Sequence, residues 1–191
     1  MSIDFVNKRF LEFEENFFLL KKKEIYLNIL NASKLIIKAI KNKNKLLFCG
    51  NGGSAADSEH LSAEFIGKFL LDRKSYPAIA LTANTSCLTA ISNDINFNEI
   101  FSRQINALGK KNDILFAIST SGQSINVKKA INTALKKKMK IIFLTSIKCK
   151  LKNVNKDILI INSPASRVDR IQEHHIFIGH LICELVEAEI R

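Results

Sequence analysis

KLLFCGNGGS, residues 45–54, is an apolar run that passes directly into a glycine-rich turn. A continuous apolar run that ends in glycine is typical of a strand buried on both faces of a sheet. The segment that follows, AADSEHLSAEF, has a helical pattern, and Ser54 before it is a residue type that often caps a helix. A strand, a turn and a helix in this order form the repeating unit of a parallel α/β protein.

Similar units follow along the chain. Strands are predicted at 45–50, 76–81, 113–119, 140–146 and 157–162. Helices are predicted from Ser54 to about Leu70 and at 85–92, 98–108, 124–138 and 167–189. Before the first strand, apolar residues at helical spacing over 3–43 predict two helices, or one helix broken near Lys23. The alternation predicts an α/β fold with a parallel sheet, whose ligands bind where strands end and helices begin.

The composition is that of an ordinary globular domain. The 191 residues are 47% hydrophobic and include only two prolines, which predicts a single domain over 1–191 with a sizeable core. There is no run of 18 apolar residues and no signal-peptide core, so we expect no membrane span and a cytoplasmic protein. The four cysteines are scattered without a CxxC pair, which predicts reduced thiols, with Cys49 and Cys183 packed in the core.

The formal net charge of +11 comes mostly from lysine. The lysines cluster at 21–23, 41–45, 136–140 and 148–156. These runs fall at predicted helix ends and in loops, where lysine solvates the surface and complements a helix C-terminus. Interleaved arginines and exposed aromatics, which favour nucleic acid, are missing from these runs, so no nucleic-acid partner is expected. The positive field would favour an anionic substrate.

Two predicted strand-to-helix turns could hold an anion. Gly50-Asn51-Gly52-Gly53-Ser54 matches neither GxxxxGK[ST] nor GxGxxG, and it suits either an anion site or a tight turn. Ser119-Thr120-Ser121-Gly122-Gln123-Ser124 places four hydroxyls around one glycine, with Ser124 as the predicted cap of the next helix. Hydroxyls and free helix N–H groups favour a phosphate site over a plain polar loop.

Four residues on two predicted helices could carry chemistry. His60 and Glu64 lie four apart and share a helix face, as an acid/base pair, as half of a metal site, or as an exposed pair with a local hydrogen bond. Gln172 and His180 lie eight apart on the last helix, about 80° around it and about 12 Å along it. They could share a broad face, but on a straight helix they would reach one small ion only with difficulty. Either the helix is not straight, one of the two ligands comes from another subunit, or the two do not bind the same ion. His174 and His175 are interpreted as ordinary surface residues or as hydrogen-bonded structural residues.

The motifs taken in order resemble the phosphoheptose isomerases of the sugar-isomerase (SIS) superfamily. The resemblance is carried by CGNGGS, D-x-x-H-x-x-x-E, SND, AISTSG-x-S and D-R-I-Q-E-x-H-x-x-x-x-H, and it covers nearly the whole chain. It implies a three-layer α/β/α sandwich with a five-stranded parallel sheet. It also implies a homotetramer with active sites at subunit interfaces. The reaction implied is the conversion of D-sedoheptulose 7-phosphate to D-glycero-D-manno-heptose 7-phosphate, which starts heptose synthesis for bacterial surface polysaccharide.

The resemblance also implies roles for individual residues. Glu64 matches the catalytic base and His180 the catalytic acid, acting through an enediol. The substrate-contacting positions matched are Asn51, Gly52, Gly53, Ser54, Glu64, Asn93, Asp94, Ser119, Thr120, Ser121, Ser124, Asp169 and Gln172. The residues matching zinc ligands are His60, Glu64, Gln172 and His180, so one zinc ion per subunit is expected.

Three segments depart from the family pattern. Lys68 stands where arginine is more common, SIKCKLKNVN (146–155) replaces a glycine-rich turn, and Ser163-Pro164-Ala165-Ser166 alters the approach to the last helix. The alternative function is a non-catalytic SIS protein that binds a replication initiator or a phosphosugar. Relatives that bind the initiator lack the equivalents of Glu64 and His180, and no DNA-binding module flanks this domain, so the isomerase is the favoured prediction.

Overall fold

The computed structural model of the protein describes residues 2–150 and 155–190. The α-helices are α1 (Ile3–Phe18), α2 (Lys23–Lys41), α3 (Gly53–Ile66), α4 (Thr85–Asp94), α5 (Ile100–Leu108), α6 (Ile125–Lys136) and α7 (Val168–Glu189). The strands are β1 (Leu46–Cys49), β2 (Ala78–Ala80), β3 (Ile114–Ile118), β4 (Lys140–Ser146) and β5 (Ile158–Ser163). A short 3-10 turn, Phe97–Glu99, leads into α5.

The five strands form one sheet in the order β2-β1-β3-β4-β5, and every neighbouring pair is parallel. The strand prediction is therefore confirmed in number, position and direction. Only β2 is clearly shorter than expected. It is an edge strand that begins after Pro77, which has no N–H to donate to a ladder.

Apolar side chains cover both faces of the sheet. Phe48 and Phe116 stack at 5.2 Å within the core that α2, α3 and α7 cover. Leu47 and Leu115, adjacent along the same strands, point into the second core with α5 and α6. Helices on both faces of a parallel sheet make the three-layer α/β/α sandwich that the resemblance implies.

The N-terminal extension consists of two helices, with the break at residues 19–22 close to the predicted Lys23. Helix α2 packs on α7 and buries Ile25, Ile29 and Ile36. Helix α1 has no buried residue and exposes large apolar side chains. Those more than half exposed are Ile3, Phe5, Val6, Phe10, Leu11 and Phe18.

Several composition-based expectations can be compared with the structure. Lysines occupy the last turns of α2 (Lys38, Lys41) and α6 (Lys136), as predicted. Cys49 and Cys183 are buried free thiols, and burial raises the pKa of each to about 12, so both are packing residues. None of the helices in the described residues is long and apolar enough to cross a membrane. Of the unusual 146–155 loop, residues 151–154 lie outside the described residues.

Candidate active site

The turn after β1 brings three chain segments together. Gly52 is the N-cap residue of α3, and its φ of +57° is a conformation that favours glycine. Gly53 lies under the last helix, because a Cβ atom there would stand 2.3 Å from Nε2 of Gln172. Ser54 was predicted to cap this helix, and that prediction is wrong: Ser54 lies within the first turn of α3 and is buried.

Asn51 connects this turn to the neighbouring one. Its Nδ2 donates to Oδ1 of Asn126 at 2.9 Å, and Asn126 Nδ2 donates back to Asn51 Oδ1 at 2.8 Å. Asn126 is buried at the beginning of α6, and its Oδ1 also accepts the backbone N–H of Val127. The reciprocal pair fixes the glycine turn against the serine turn.

The serine-rich turn after β3 is closed by its own hydroxyls. Ser119 Oγ accepts the N–H of Gly122, which has φ +63°, and contacts Ser124 Oγ at 3.3 Å. Ser121 Oγ accepts the N–H of Gln123. Ser124 occupies the N-cap position of α6 but makes no side-chain cap bond, so the predicted cap contact is absent. The result is a compact loop of hydroxyls at the start of a helix, a geometry suited to a phosphate.

Buried polar residues support the serine turn from below. Thr145 Oγ1 donates to the carbonyl of Ser119 at 2.7 Å, and Ser146 Oγ donates to the carbonyl of Thr120 at 2.6 Å. The ring of His175 bonds through Nε2 to the carbonyl of Thr145 at 2.9 Å. Burial lowers the pKa of His175 to about 4, so its ring is neutral at pH 7 and its N–H donates.

Helices α3 and α7 run side by side in the same direction. Gln172 lies against Gly53, Gly179 against Leu61 and His180 against His60. The difference in residue number is close to 119 at each contact, so the two helices keep a constant register. Gln172 is therefore near the start of α3, while His180 is about 12 Å farther along the axis of α7.

His60, Glu64 and His180 form one cluster, with a ligand atom of each within 4.8 Å of the others. The Nε2 atoms of His60 and His180 are 2.7 Å apart, and Glu64 Oε1 is 3.3 Å from His60 Nε2. The two ring nitrogens are at hydrogen-bond distance, and which of them donates depends on the tautomer of each ring. Burial, with the neighbouring His60 second, lowers the pKa of His180, whereas Glu64 opposes that shift.

The cluster has the donor chemistry of a zinc site. Two imidazoles and a carboxylate are common zinc ligands, bound at about 2.0–2.2 Å. Two nitrogens on a tetrahedral zinc are about 3.3 Å apart, which follows from those bond lengths, so His60 and His180 need to separate by only about 0.6 Å to bind one ion. Gln172 lies against Gly53 at the start of α3, and its role as a fourth zinc ligand stays a prediction.

Asn93, Asp94 and Asp169 form their side-chain hydrogen bonds with residues close to them in sequence. Asn93 and Asp94 are exposed at the end of α4, where Asn93 Nδ2 donates to Asp94 Oδ1 at 2.7 Å. Asp169 pairs with Arg167, whose guanidinium holds the pKa of that carboxyl below its ordinary value. His174 is buried and contacts Ser163 Oγ at 2.9 Å. Both His174 and His175 are therefore hydrogen-bonded structural residues and not surface residues.

Sequence reasoning missed several residues around the site. Asp57 lies one helical turn before His60. Burial raises the pKa of its carboxyl to about 6, although the nearby His60 acts to lower that pKa. The ring of Phe69 stacks on His180 with centroids 5.3 Å apart. Arg73 and Glu187 form a buried ion pair beyond the cluster. The D-x-x-H spacing gave a signal for Asp57, but no local pattern marks the other three.

Comparison with known proteins gives one consistent result. A family model described as the SIS domain matches residues 19–146. The phosphoheptose isomerase of Nitratiruptor sp. is 42% identical over 186 residues, which cover 97% of this chain and 98% of that protein.

Two solved structures have the same fold over nearly their full length. The phosphoheptose isomerase of Neisseria gonorrhoeae superposes with a TM-score of 0.90 at 37% identity, covering 97% of this chain and 98% of that one. A phosphoheptose isomerase from Francisella tularensis gives 0.93 at 33% identity, covering 98% and 99%.

Proposed function

The chain belongs to the phosphoheptose isomerases, a family of SIS-domain proteins, and on that premise we propose its reaction, its catalytic residues and its metal. It is an isomerase that acts on a heptose phosphate. The reaction we propose is D-sedoheptulose 7-phosphate to D-glycero-D-manno-heptose 7-phosphate through an enediol. The product would serve as the first heptose precursor of a bacterial surface polysaccharide.

One observation carries the proposal, namely the cluster in which His60 and Glu64 of α3 meet His180 of α7, with a ligand atom of each within 4.8 Å of the others. Ketose–aldose exchange moves a proton between adjacent carbons and needs a base at the carbon and an acid at the carbonyl oxygen. Glu64 is the proposed base, since its side chain is partly shielded and stays beside two imidazoles. His180 is the proposed acid, which hydrogen-bonds the carbonyl oxygen and supplies its proton.

The two turns hold the rest of the substrate in this proposal. The hydroxyls of Ser119, Thr120, Ser121 and Ser124 bind the phosphate with the first N–H groups of α6. Across the Asn51–Asn126 bridge, the glycine turn with Gln172 faces the sugar chain. The other proposed substrate contacts are Gly52, Gly53, Ser54, Asn93, Asp94 and Asp169.

Zinc is the proposed metal, held by His60, Glu64 and His180. When bound, zinc polarises a carbonyl oxygen as a Lewis acid. The metal and proton roles of His180 compete, because a nitrogen bound to zinc carries no proton. Gln172 as a fourth ligand remains a prediction. It requires that α7 is not straight between Gln172 and His180, or that one of these two ligands comes from another subunit.

A homotetramer with active sites between subunits is the proposed assembly, in the cytoplasm and as a single domain over 1–191. The exposed apolar face of α1 supports a subunit contact, since an exposed patch of this kind commonly marks an interface. Cross-subunit contacts would also give Asn93, Asp94 and Asp169 their route to substrate.

The substrate assay tests the function directly. Purified protein given sedoheptulose 7-phosphate should form an aldoheptose 7-phosphate, detected by NMR or by chromatography of the products. Glu64→Gln should abolish turnover while circular dichroism and the melting temperature stay close to those of the wild type. Full activity in Glu64→Gln would refute the base assignment. No conversion by the wild type would favour the non-catalytic binding protein.

A further inference from the structure

We propose that Arg73, Glu187 and Phe69 position the acid and the base relative to each other. Arg73 and Phe69 lie in the segment between α3 and β2, and Glu187 lies near the end of α7. None of the three belongs to the His60, Glu64 and His180 cluster. Arg73 contacts the helix that carries Glu64, Glu187 lies on the helix that carries His180, and Phe69 contacts the His180 ring. The inference rests on the roles proposed above for Glu64 and His180.

Arg73 fixes the end of the helix that carries Glu64. Its Nη2 donates to the backbone carbonyl of Glu64 at 2.7 Å, and its Nη1 donates to the carbonyls of Phe65 and Gly67 at 3.1 Å. The last carbonyls of a helix have no partner within the helix and carry partial negative charge. Arg73 satisfies three carbonyls at the end of α3 at once, and the guanidinium lies 4.1 Å over the ring of Tyr76.

Glu187 fixes the opposite side of the same segment. Its carboxylate accepts the N–H groups of Phe69, Leu70 and Leu71 at 3.1, 2.7 and 2.9 Å, and it accepts Nε of Arg73 at 2.8 Å. Burial alone would raise the pKa of Glu187, but the three N–H groups and Arg73 outweigh it and lower that pKa. A buried ion pair whose partners are all satisfied resists rearrangement, because any displacement leaves a charge unpaired.

The ion pair and His180 share one face of α7. Glu187 lies seven residues after His180, which is almost two full turns, so both side chains point toward α3. The Arg73–Glu187 pair therefore joins the turn of α3 that contains Glu64 to the face of α7 that contains His180. The distance between base and acid depends on this joint.

Phe69 acts on the imidazole itself. Its backbone N–H is held by Glu187, and its ring lies on His180 with centroids 5.3 Å apart and planes 26° apart. The ring of His60 meets the His180 ring nearly edge-on, with an angle of 70° between their planes. The ring of His180 is thus limited on one side by Phe69 and at Nε2 by His60, which restricts its rotation.

Phe69→Leu tests the aromatic contact while keeping an apolar side chain. We expect kcat to fall about tenfold or more with KM within about threefold, because a small misplacement of a catalytic group has a large effect on rate. Phe69→Tyr, which keeps an aromatic ring against His180, should retain most of the wild-type activity. Phe17→Leu is the matched control, because Phe17 is also half-buried and meets His174 of α7 edge-on at 5.4 Å, outside the cluster. Equal kcat values for the two leucine variants would overturn the positioning role of Phe69.

A measurement without substrate separates this inference from the reaction. In wild-type protein the ring current of Phe69 should displace the His180 imidazole proton signals in the NMR spectrum. The displacement should disappear in Phe69→Leu and persist in Phe17→Leu. If the wild type isomerises no heptose phosphate, the proposed function fails while this signal still reports the contact. If the His180 signals are the same in all three proteins, the inference fails.

Arg73→Lys tests the ion pair. Lysine keeps the charge but cannot contact Glu187 and the Glu64 carbonyl through one rigid planar group. Protein that is folded by circular dichroism should show kcat reduced about tenfold or more with little change in KM. Folded Arg73→Lys with the kcat of the wild type would overturn the role of the pair.

Discussion

Replacing Gly53 with alanine should separate the activity of this protein from its stability. The backbone of Gly53 does not have positive φ, so alanine can adopt it without strain. Alanine is also favoured over glycine in a helix, and it reduces the conformational freedom of the unfolded chain. The resulting gain in the free energy of unfolding is about 0.4–1 kcal/mol. We therefore expect the free energy of unfolding of Gly53→Ala to equal or exceed that of the wild type.

The same change should displace Gln172. The added Cβ would stand 2.3 Å from Gln172 Nε2 and 3.0 Å from its Cδ. An ordinary contact is about 3.5 Å or more, so the amide must move by more than about 1 Å. The end of a glutamine side chain can move at little cost, which keeps the fold intact. If Gln172 binds substrate or metal, a displacement of this size should lower kcat/KM by about 10- to 100-fold.

A double-mutant cycle identifies the cause. Gln172→Ala alone should lose activity to a similar degree, and Gly53→Ala should add little in the Gln172→Ala background, because the two changes remove the same contact. Steady-state kinetics with sedoheptulose 7-phosphate and urea unfolding of the four proteins give both quantities. Full activity in Gly53→Ala would refute the reasoning about Gln172. The reasoning would also fail if the free-energy losses of Gly53→Ala and Gln172→Ala were additive in the double variant.

Three further predictions use other parts of the structure. Burial lowers the pKa of His175 from its ordinary 6.5 to about 4, so below pH 6.5 the unfolded chain takes up a proton that the native protein refuses. The free energy of unfolding should therefore fall by about 3 kcal/mol between pH 6.5 and 4. In His175→Gln, urea unfolding should show a decrease that is smaller by this amount. An equal pH dependence in the two proteins would contradict the prediction. Gly179→Ala should destabilise the protein by about 1–3 kcal/mol, because its Cβ would stand 2.7 Å from both methyl groups of Leu61, and an unchanged urea midpoint would count against the tight α3–α7 packing. After chelation, wild-type protein should bind one zinc ion per chain by calorimetry, with His60→Ala weakened about tenfold or more; equal affinity of the two would remove His60 from the zinc ligands.

Local pattern was enough to predict the order and type of the secondary structure. Continuous apolar runs gave the five strands, and helical spacing gave the two N-terminal helices and α7. The two turns could be located because glycine and hydroxyl residues stand directly after strands. The predicted cap at Ser54 was wrong, whereas Ser124 takes its predicted N-cap position without a side-chain cap bond. The favoured residue type says nothing about where its hydroxyl finds a better partner. Ser54 is buried in the helix, and Ser124 turns toward Ser119.

The sequence by itself determined that His60 and Glu64 share one helix face, because a helical period is a property of neighbouring residues. The resemblance predicted that His180 joins them, but only the tertiary structure shows the three side chains in one cluster, with Gln172 against Gly53. This arrangement follows from the parallel packing of α3 and α7, whose register is set by the contact of Gly179 with Leu61 and is coupled to the buried Arg73–Glu187 pair. These contacts link residues more than 100 positions apart, and their geometry depends on the shape of both packed surfaces, which no local spacing contains.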